Sequence, residues 1–292
     1  MSTLPPPSSP PPPGPPQGAP APKGGTLVKS AWTALRADKE LLGLPILGGV
    51  VSLVAVVPVL VMLALVPSDA QVWYYVIGVL AAFIVAVIST FFAVALAAGA
   101  HDRMGGGQPT FKSCCAVAWS HKRGVIGWAL LSTTVGLVLN LIEDKMKGAG
   151  GAIVRLIGDM AWAVASFFAI PIIAANDVGP IEALKLSTST FKSRWGSAVR
   201  VQLRLGIYGI GLFVLAIVGF FLVAFAWQAS HMLGIALGIV VIIGLMIGVL
   251  LLSAIGAYAR VALYRYASGL VTPGFTSATM DTAITPKVGT SR

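Results

Sequence analysis

Charge is scarce in this chain. Only 10% of its 292 residues are Asp, Glu, Lys or Arg, against about a quarter in soluble domains, while 57% are apolar. A soluble chain of this length needs far more polar surface to cover its core, so a soluble globular domain is excluded. Acidic residues are scarcer still: Asp and Glu number ten against twenty Lys and Arg, leaving a net charge of +10. The basic residues alternate with bilayer-length apolar runs and form no basic face, which argues against a nucleic-acid partner. They read instead as determinants of membrane orientation and as contacts for anionic headgroups. Cysteine is limited to the adjacent Cys114 and Cys115. That excludes a disulfide framework, and the basic neighbours place the pair on the reducing side of a membrane. Adjacent cysteines on a helix point about 100° apart and no CxxC exists, so they make no metal site with His101 and His121. HExxH, membrane-protease and Ser/His/Asp patterns are missing, and no Lys-Ser or Lys-Thr follows Gly105–Gly107 as a phosphate loop requires. The expectation is a protein with no catalytic residue, no metal and no cofactor.

Bilayer-length apolar runs are what the chain has in abundance. Before them, residues 1–25 carry eleven prolines and nothing apolar enough to bury, so they read as an extended, disordered, proline-rich tail. No basic start leads into an apolar stretch, so this is not a signal peptide. The membrane domain is expected over 26–272, with spans at about 41–66, 72–98, 124–142, 152–175, 205–227 and 232–259. Residues 273–292 read as a second disordered tail. Pro58 and Pro171 are the expected bends in the first and fourth spans. Trp73, Tyr74 and Tyr75 belong at an interface, where amphipathic rings settle.

Three shorter segments have helical amphipathicity: about 26–40, 110–123 and 180–195. Each is basic, carries a tryptophan and leads into an odd-numbered span, a pattern consistent with three helix-plus-hairpin units. In the third, Ile181, Leu184, Thr188, Phe191 and Trp195 are spaced 3, 4, 3, 4, while Lys185, Ser189 and Lys192 face away. That spacing predicts a helix lying along the membrane surface, its apolar face in the headgroup boundary. Assigning the connections alternately puts 17 Lys and Arg on one side and three (Lys145, Lys147 and Arg155) on the other. By the positive-inside rule both termini are cytoplasmic.

Two groups of polar residues are candidates for a site. Arg155 and Asp159 are four apart and share a helix face, with Asn140, Glu143 and Asp144 across the short connection. A charge deep in a bilayer costs about 2.5–3.5 kcal/mol on insertion scales, so these residues form either a polar site between helices or an interfacial pair marking the outer boundary. Lys185, Lys192, Arg194, Arg200, Arg204 and Arg260 are candidate contacts for anionic lipid, with Arg200, Arg204 and Arg260 able to converge on a lipid phosphate.

At WTALRADKELLGLPIL, GVIGWALLSTTVGLVLNLIEDK and FFAIPIIAANDVGPIEALKLSTSTFKSRWG the chain resembles a prokaryotic family of uncharacterised six-span membrane proteins, from about Leu27 to Gly269. The phrase GPIEALKLSTSTFKSRWG is also similar to part of the membrane domain attached to some glycerophosphodiester phosphodiesterases. No phosphodiesterase domain accompanies it, so that activity does not carry over. The combined expectation is an all-α, six-span transmembrane bundle with three cytoplasmic-side amphipathic helices, set in a prokaryotic cytoplasmic membrane. The expected role is membrane-organising or lipid-interacting, without catalysis. The alternative is a small-molecule or lipid transporter with a polar path near Asn140, Arg155 and Asp159. The expected partners are the bilayer and its anionic headgroups, with a homo-oligomer or a membrane-protein partner left open.

Overall fold

In a bilayer every backbone N–H and C=O must be paired within the chain, which leaves a long apolar run little choice but a helix. The structure, a computed structural model, describes residues 31–33, 39–67, 70–146, 149–193 and 195–270. Among these it contains helices and no strands. The first amphipathic segment, apart from 31–33 and 39–40, and both tails lie outside the described residues. The helices are α1 (Lys39–Leu65), α2 (Gln71–Met104), α3 (Phe111–Ser120), α4 (Lys122–Met146), α5 (Ala149–Ala165), α6 (Ala169–Ala175), α7 (Pro180–Ser193), α8 (Trp195–Ala229) and α9 (His231–Ala267). Six stretches are long and apolar enough to cross a membrane, the fourth of them Gly150–Ala175, which combines α5 and α6.

The spans form three hairpins. Tyr74 sits at the tip of the first and donates its hydroxyl to the Val66 carbonyl at 2.9 Å, satisfying a group freed at the end of α1. The second hairpin, α4 with α5 and α6, is held by Trp128 and Trp162, whose rings stack 5.5 Å apart. The third joins α8 to α9 at Ser230. At 34 and 37 residues, α2 and α9 run to about 51 and 55 Å, well beyond a hydrocarbon core of about 30 Å.

The surplus length is used at one end. Packing concentrates on Val94–Ala100 of α2, Phe167–Ala169 around the start of α6, and Ala254 and Tyr258–Ala259 of α9, joined by Leu41, Leu44, Cys114, Val125 and Trp128. The small residues Ala95, Ala97, Ala98 and Ala100 let backbones approach closely there. At Gly99 a Cβ would fall within 3 Å of side-chain atoms of both Leu41 and Cys114, so only glycine lets those two meet across α2. Toward the hairpin tips the large apolar side chains of Val54, Leu65, Phe213, Phe220, Met232 and Val240 are exposed, as lipid-facing residues should be. The core is therefore at the end that carries most of the Lys and Arg, here called the basic end.

Several expected boundaries shift. The sixth span does not stop near Ala259: α9 continues to Ala267 and carries Arg260 and Arg265 within it. There Arg265 Nη1 donates at 2.9 Å to the His101 carbonyl, which also accepts the Gly105 N–H in the last turn of α2. The fourth span is two helices. A proline at 171 removes one N–H and its ring would clash with the carbonyl of residue 167, so the helix breaks at Ser166–Phe168. The third amphipathic helix ends at Ser193, and Trp195 already belongs to α8. Gly105–Gly107 form the turn that ends α2: Gly106 has a φ of 91° and Gly107 donates to the Asp102 carbonyl at 3.0 Å.

Candidate functional site

The second hairpin brings the predicted polar residues together. Six residues from its outer start, α5 presents Arg155, about 9 Å below the tip; Asp159 follows one turn deeper. Arg155 Nε donates to Asp159 Oδ2 at 2.8 Å. Its Nη1 reaches across to α4, donating to Asn140 Oδ1 and to Glu143 Oε2, the latter at 3.3 Å. The side chains are 28%, 51% and 42% exposed for Arg155, Asp159 and Glu143 respectively. One guanidinium thus ties two carboxylates and an amide together across the hairpin through its Nε and Nη1 donors. Its geometry is that of a clamp. Glu143, expected across the connection with Asn140, is a full member of the site, whereas no contact joins Asp144 to it among the described residues.

The basic end is built around α7. Pro180 opens the helix, where its missing N–H costs nothing, and Glu182 stands in the first turn. The face that meets protein is not the predicted stripe. Ala183 and Ser187 are fully buried and Phe191 nearly so, while Ile181 is exposed. Leu184 and Thr188 are half-buried. The reason is the helix break beside it. Breaking α5 from α6 frees the Phe168 N–H, and Ser187 Oγ accepts it at 3.0 Å in a buried setting. A short polar side chain is what that joint needs, so the packed face rotates toward Ala183 and Ser187. The expectation of a helix floating on the headgroups is corrected: α7 is docked on the bundle, and its other face looks out.

That outer face carries Lys185 and Lys192, both exposed. Nearby on the same end Lys112 of α3 and Lys122 and Arg123 of α4 are exposed too. None of these five cations forms an ion pair with a described residue. Lys122 Nζ lies 5.7 Å from the Trp119 ring centre, a cation–π contact at an interface tryptophan. Arg260 is different. It is half-buried, its guanidinium carbon 5.9 Å from the Phe167 ring centre, and its Nε is enclosed with no hydrogen-bond partner among the described residues. It therefore does not stand out at the surface as Lys185 and Lys192 do. Arg194 lies outside the described residues; of Arg200 and Arg204 only the backbone, in α8, is described.

The cysteines belong to the docking of α3. Thr110 and Ser113 cap that helix reciprocally, each hydroxyl accepting the other's backbone N–H, and Glu40 Oε2 accepts the Phe111 N–H at 2.8 Å. Cys114 is buried beneath Gly99, and that burial pushes its thiol up to about 11. Cys115, half-buried, is shifted in the same direction by the same cause. Neither is poised as a nucleophile. Among the described residues no group of three or more His, Cys, Asp or Glu could hold a metal ion.

Sequence reasoning missed Ser187 and Glu40, each of which accepts a backbone N–H freed at a helix break or start, and Arg265, which adds a second donor to a carbonyl at the end of α2. Their partners lie 19, 71 and 164 residues away, so no local spacing announces them.

Comparison with known proteins gives one family. The model for a family of unknown function, DUF6159, matches residues 72–274, well over half the chain. No curated protein and no solved structure matches.

Proposed function

We propose that the chain, which belongs to this family of unknown function, is a multi-pass protein of a prokaryotic cytoplasmic membrane that holds anionic lipid at its basic end and orders the surrounding leaflet, without catalysis of its own. The observation that carries this reading is the set of exposed cations, Lys112, Lys122, Arg123, Lys185 and Lys192, none paired with a described carboxylate. An unpaired surface cation at headgroup depth gains about 1 kcal/mol from an anionic leaflet, and five on a docked scaffold act over one patch. Because α7 is docked through Ser187, the backbone that carries Lys185 and Lys192 is already ordered when lipid arrives. The basic end faces the cytoplasm in this reading, with both termini on that side.

The test is lipid selectivity in reconstituted bilayers. Spin-labelled phosphatidylglycerol and phosphatidylcholine are compared for immobilisation by the full chain, with and without replacement of the five cations by glutamine. A preference for phosphatidylglycerol that falls in the variant and in high salt is expected. Equal immobilisation of the two lipids by the unaltered protein overturns the proposal. Solute uptake that depends on Arg155 and Asp159, without any lipid preference, would favour transport instead.

A further inference from the structure

Between α1, α2 and α9 lies a cavity of about 330 Å³ that the lipid reading of the basic end does not use. Its wall is mostly apolar: Pro45, Phe92, Leu96 and Leu250, with Gly48 and Gly49 as floor. Into this wall three serines are set, one from each helix: Ser52, Ser89 and Ser253. Counted from the basic ends of their helices they stand 13, 15 and 14 residues in. At 1.5 Å per residue that places all three at about 20–22 Å, one level within the bilayer. Each comes from a different part of the chain, so the agreement is a property of the assembled bundle.

Hydroxyls in the spans are of two kinds: some bond back along their own helix, while these three serines, like Thr90 and Thr133, do not. Ser132, Thr134 and Ser166 each donate to the carbonyl four residues back, as an isolated hydroxyl in a membrane helix should. Ser52, Ser89 and Ser253 make no hydrogen bond with any described residue. Ser89 and Ser253 are exposed and Ser52 half-buried, so the cavity is open on one side. Leaving three hydroxyls unsatisfied in hydrocarbon is costly, and alanine or glycine would let the helices approach as closely without that cost. Charge is missing from the wall, so an ionised ligand has nothing to meet it.

We propose that this cavity binds the uncharged, oxygen-bearing head of a neutral membrane lipid, with Ser52, Ser89 and Ser253 hydrogen-bonding its carbonyl or hydroxyl oxygens. Its volume is at the lower end for small-molecule sites, enough for a head but not for a whole lipid. The hydrocarbon tail leaves through the open side into the bilayer. A quinone and a diacylglycerol share this chemistry. The site is independent of the cation patch at the basic end: neutral rather than anionic lipid, mid-bilayer rather than headgroup level.

The full chain in phosphatidylcholine nanodiscs is photolabelled with a diacylglycerol carrying a diazirine in its acyl chain, and labelled peptides are mapped. Decylbenzoquinone and unlabelled dioctanoylglycerol are the competitors. Saturable labelling beside the cavity is expected, displaced by one competitor in preference to the other, which identifies the source of the head. Serine-to-alanine changes keep the shape, and each should weaken binding roughly three- to tenfold, the worth of one hydrogen bond. The triple change S52A/S89A/S253A should abolish saturation. If the triple variant does not fold, S253A alone, at an exposed position, carries the same comparison. Labelling that rises linearly with probe, that neither competitor displaces, or that persists unchanged in the alanine variants overturns the proposal and leaves a cavity that holds water or packing lipid only.

Discussion

Replacing Ser187 with alanine removes one oxygen and almost no volume, yet it reaches the joint that sets the geometry of the basic end. In the folded chain Ser187 is fully buried, and its Oγ is the partner that the Phe168 N–H finds among the described residues, at 3.0 Å. Without that oxygen the N–H is stranded. The intrahelical acceptor it would have used is lost to the break that Pro171 imposes, and water has no path to it. A buried donor left unsatisfied costs about 1–3 kcal/mol, whereas a hydrogen bond lost at a wet surface costs little. Ser189, one half-turn further along α7, provides the control: it is exposed and only donates back to the Leu186 carbonyl at 2.9 Å. For a chain of this size the difference corresponds to about 2–10 °C in melting temperature, read by unfolding of the purified protein in detergent. S187A should melt lower than S189A by that margin. The same variant should loosen α7, seen as faster hydrogen exchange of 180–193. Equal melting temperatures for the two would refute the claim that α7 is fastened through this bond.

Two further outcomes follow from the clamp and the cysteines. Asp159→Asn, which keeps an acceptor for Arg155, should cost at most about 1 kcal/mol, as expected of a partly exposed pair, while Arg155→Ala should cost more because it leaves Glu143 and Asp159 facing each other; a double-mutant cycle measures the coupling, and zero coupling would dismantle the clamp. At pH 8 a thiol held at about 11 is thiolate in about one molecule per thousand, against roughly a tenth for one at 9.0, and Cys114 is also the more buried of the two, so maleimide should modify Cys115 well before Cys114. The folded Cys114 keeps its proton above the pH at which the unfolded thiol, near 9.0, gives it up, so stability should fall as pH rises from about 9 to about 11, and Cys114→Ala should remove that slope.

Much of the fold was legible because a bilayer leaves so little freedom. Uninterrupted apolar runs such as 232–259 announce helices by length alone, and six of the described stretches qualify. Boundaries were less legible for a physical reason. Past Ala259 the residues turn polar, which ends a hydropathy run, yet Arg260 and Arg265 stay helical because they pack on Phe167 and on the end of α2. The Arg155–Asp159 pair was visible from i, i+4 spacing, and Asn140 from its place across the turn. The stripe on α7 misled. Its 3-4-3-4 spacing is genuine, but which face turns inward is decided by the unsatisfied Phe168 N–H, and nothing in 180–195 encodes that demand. The serines at 52, 89 and 253 each look trivial in isolation. Only assembly puts them at one height.

The crowding of the core at one end has a consequence for how the chain comes apart. Near Leu41, Val94, Tyr258 and Phe168 the helices are locked by their own side chains. Near Leu65, Phe220 and Met232 the large side chains are exposed, and in a bilayer acyl chains would be their main neighbours. The two halves therefore answer to different solvents. Thinning or fluidising the bilayer would fray the hairpin tips while the base holds its shape, so opening free energies should be graded along each helix, lowest at the tips and approaching the global value near Tyr258. A protein built this way is a rigid foot with compliant fingers.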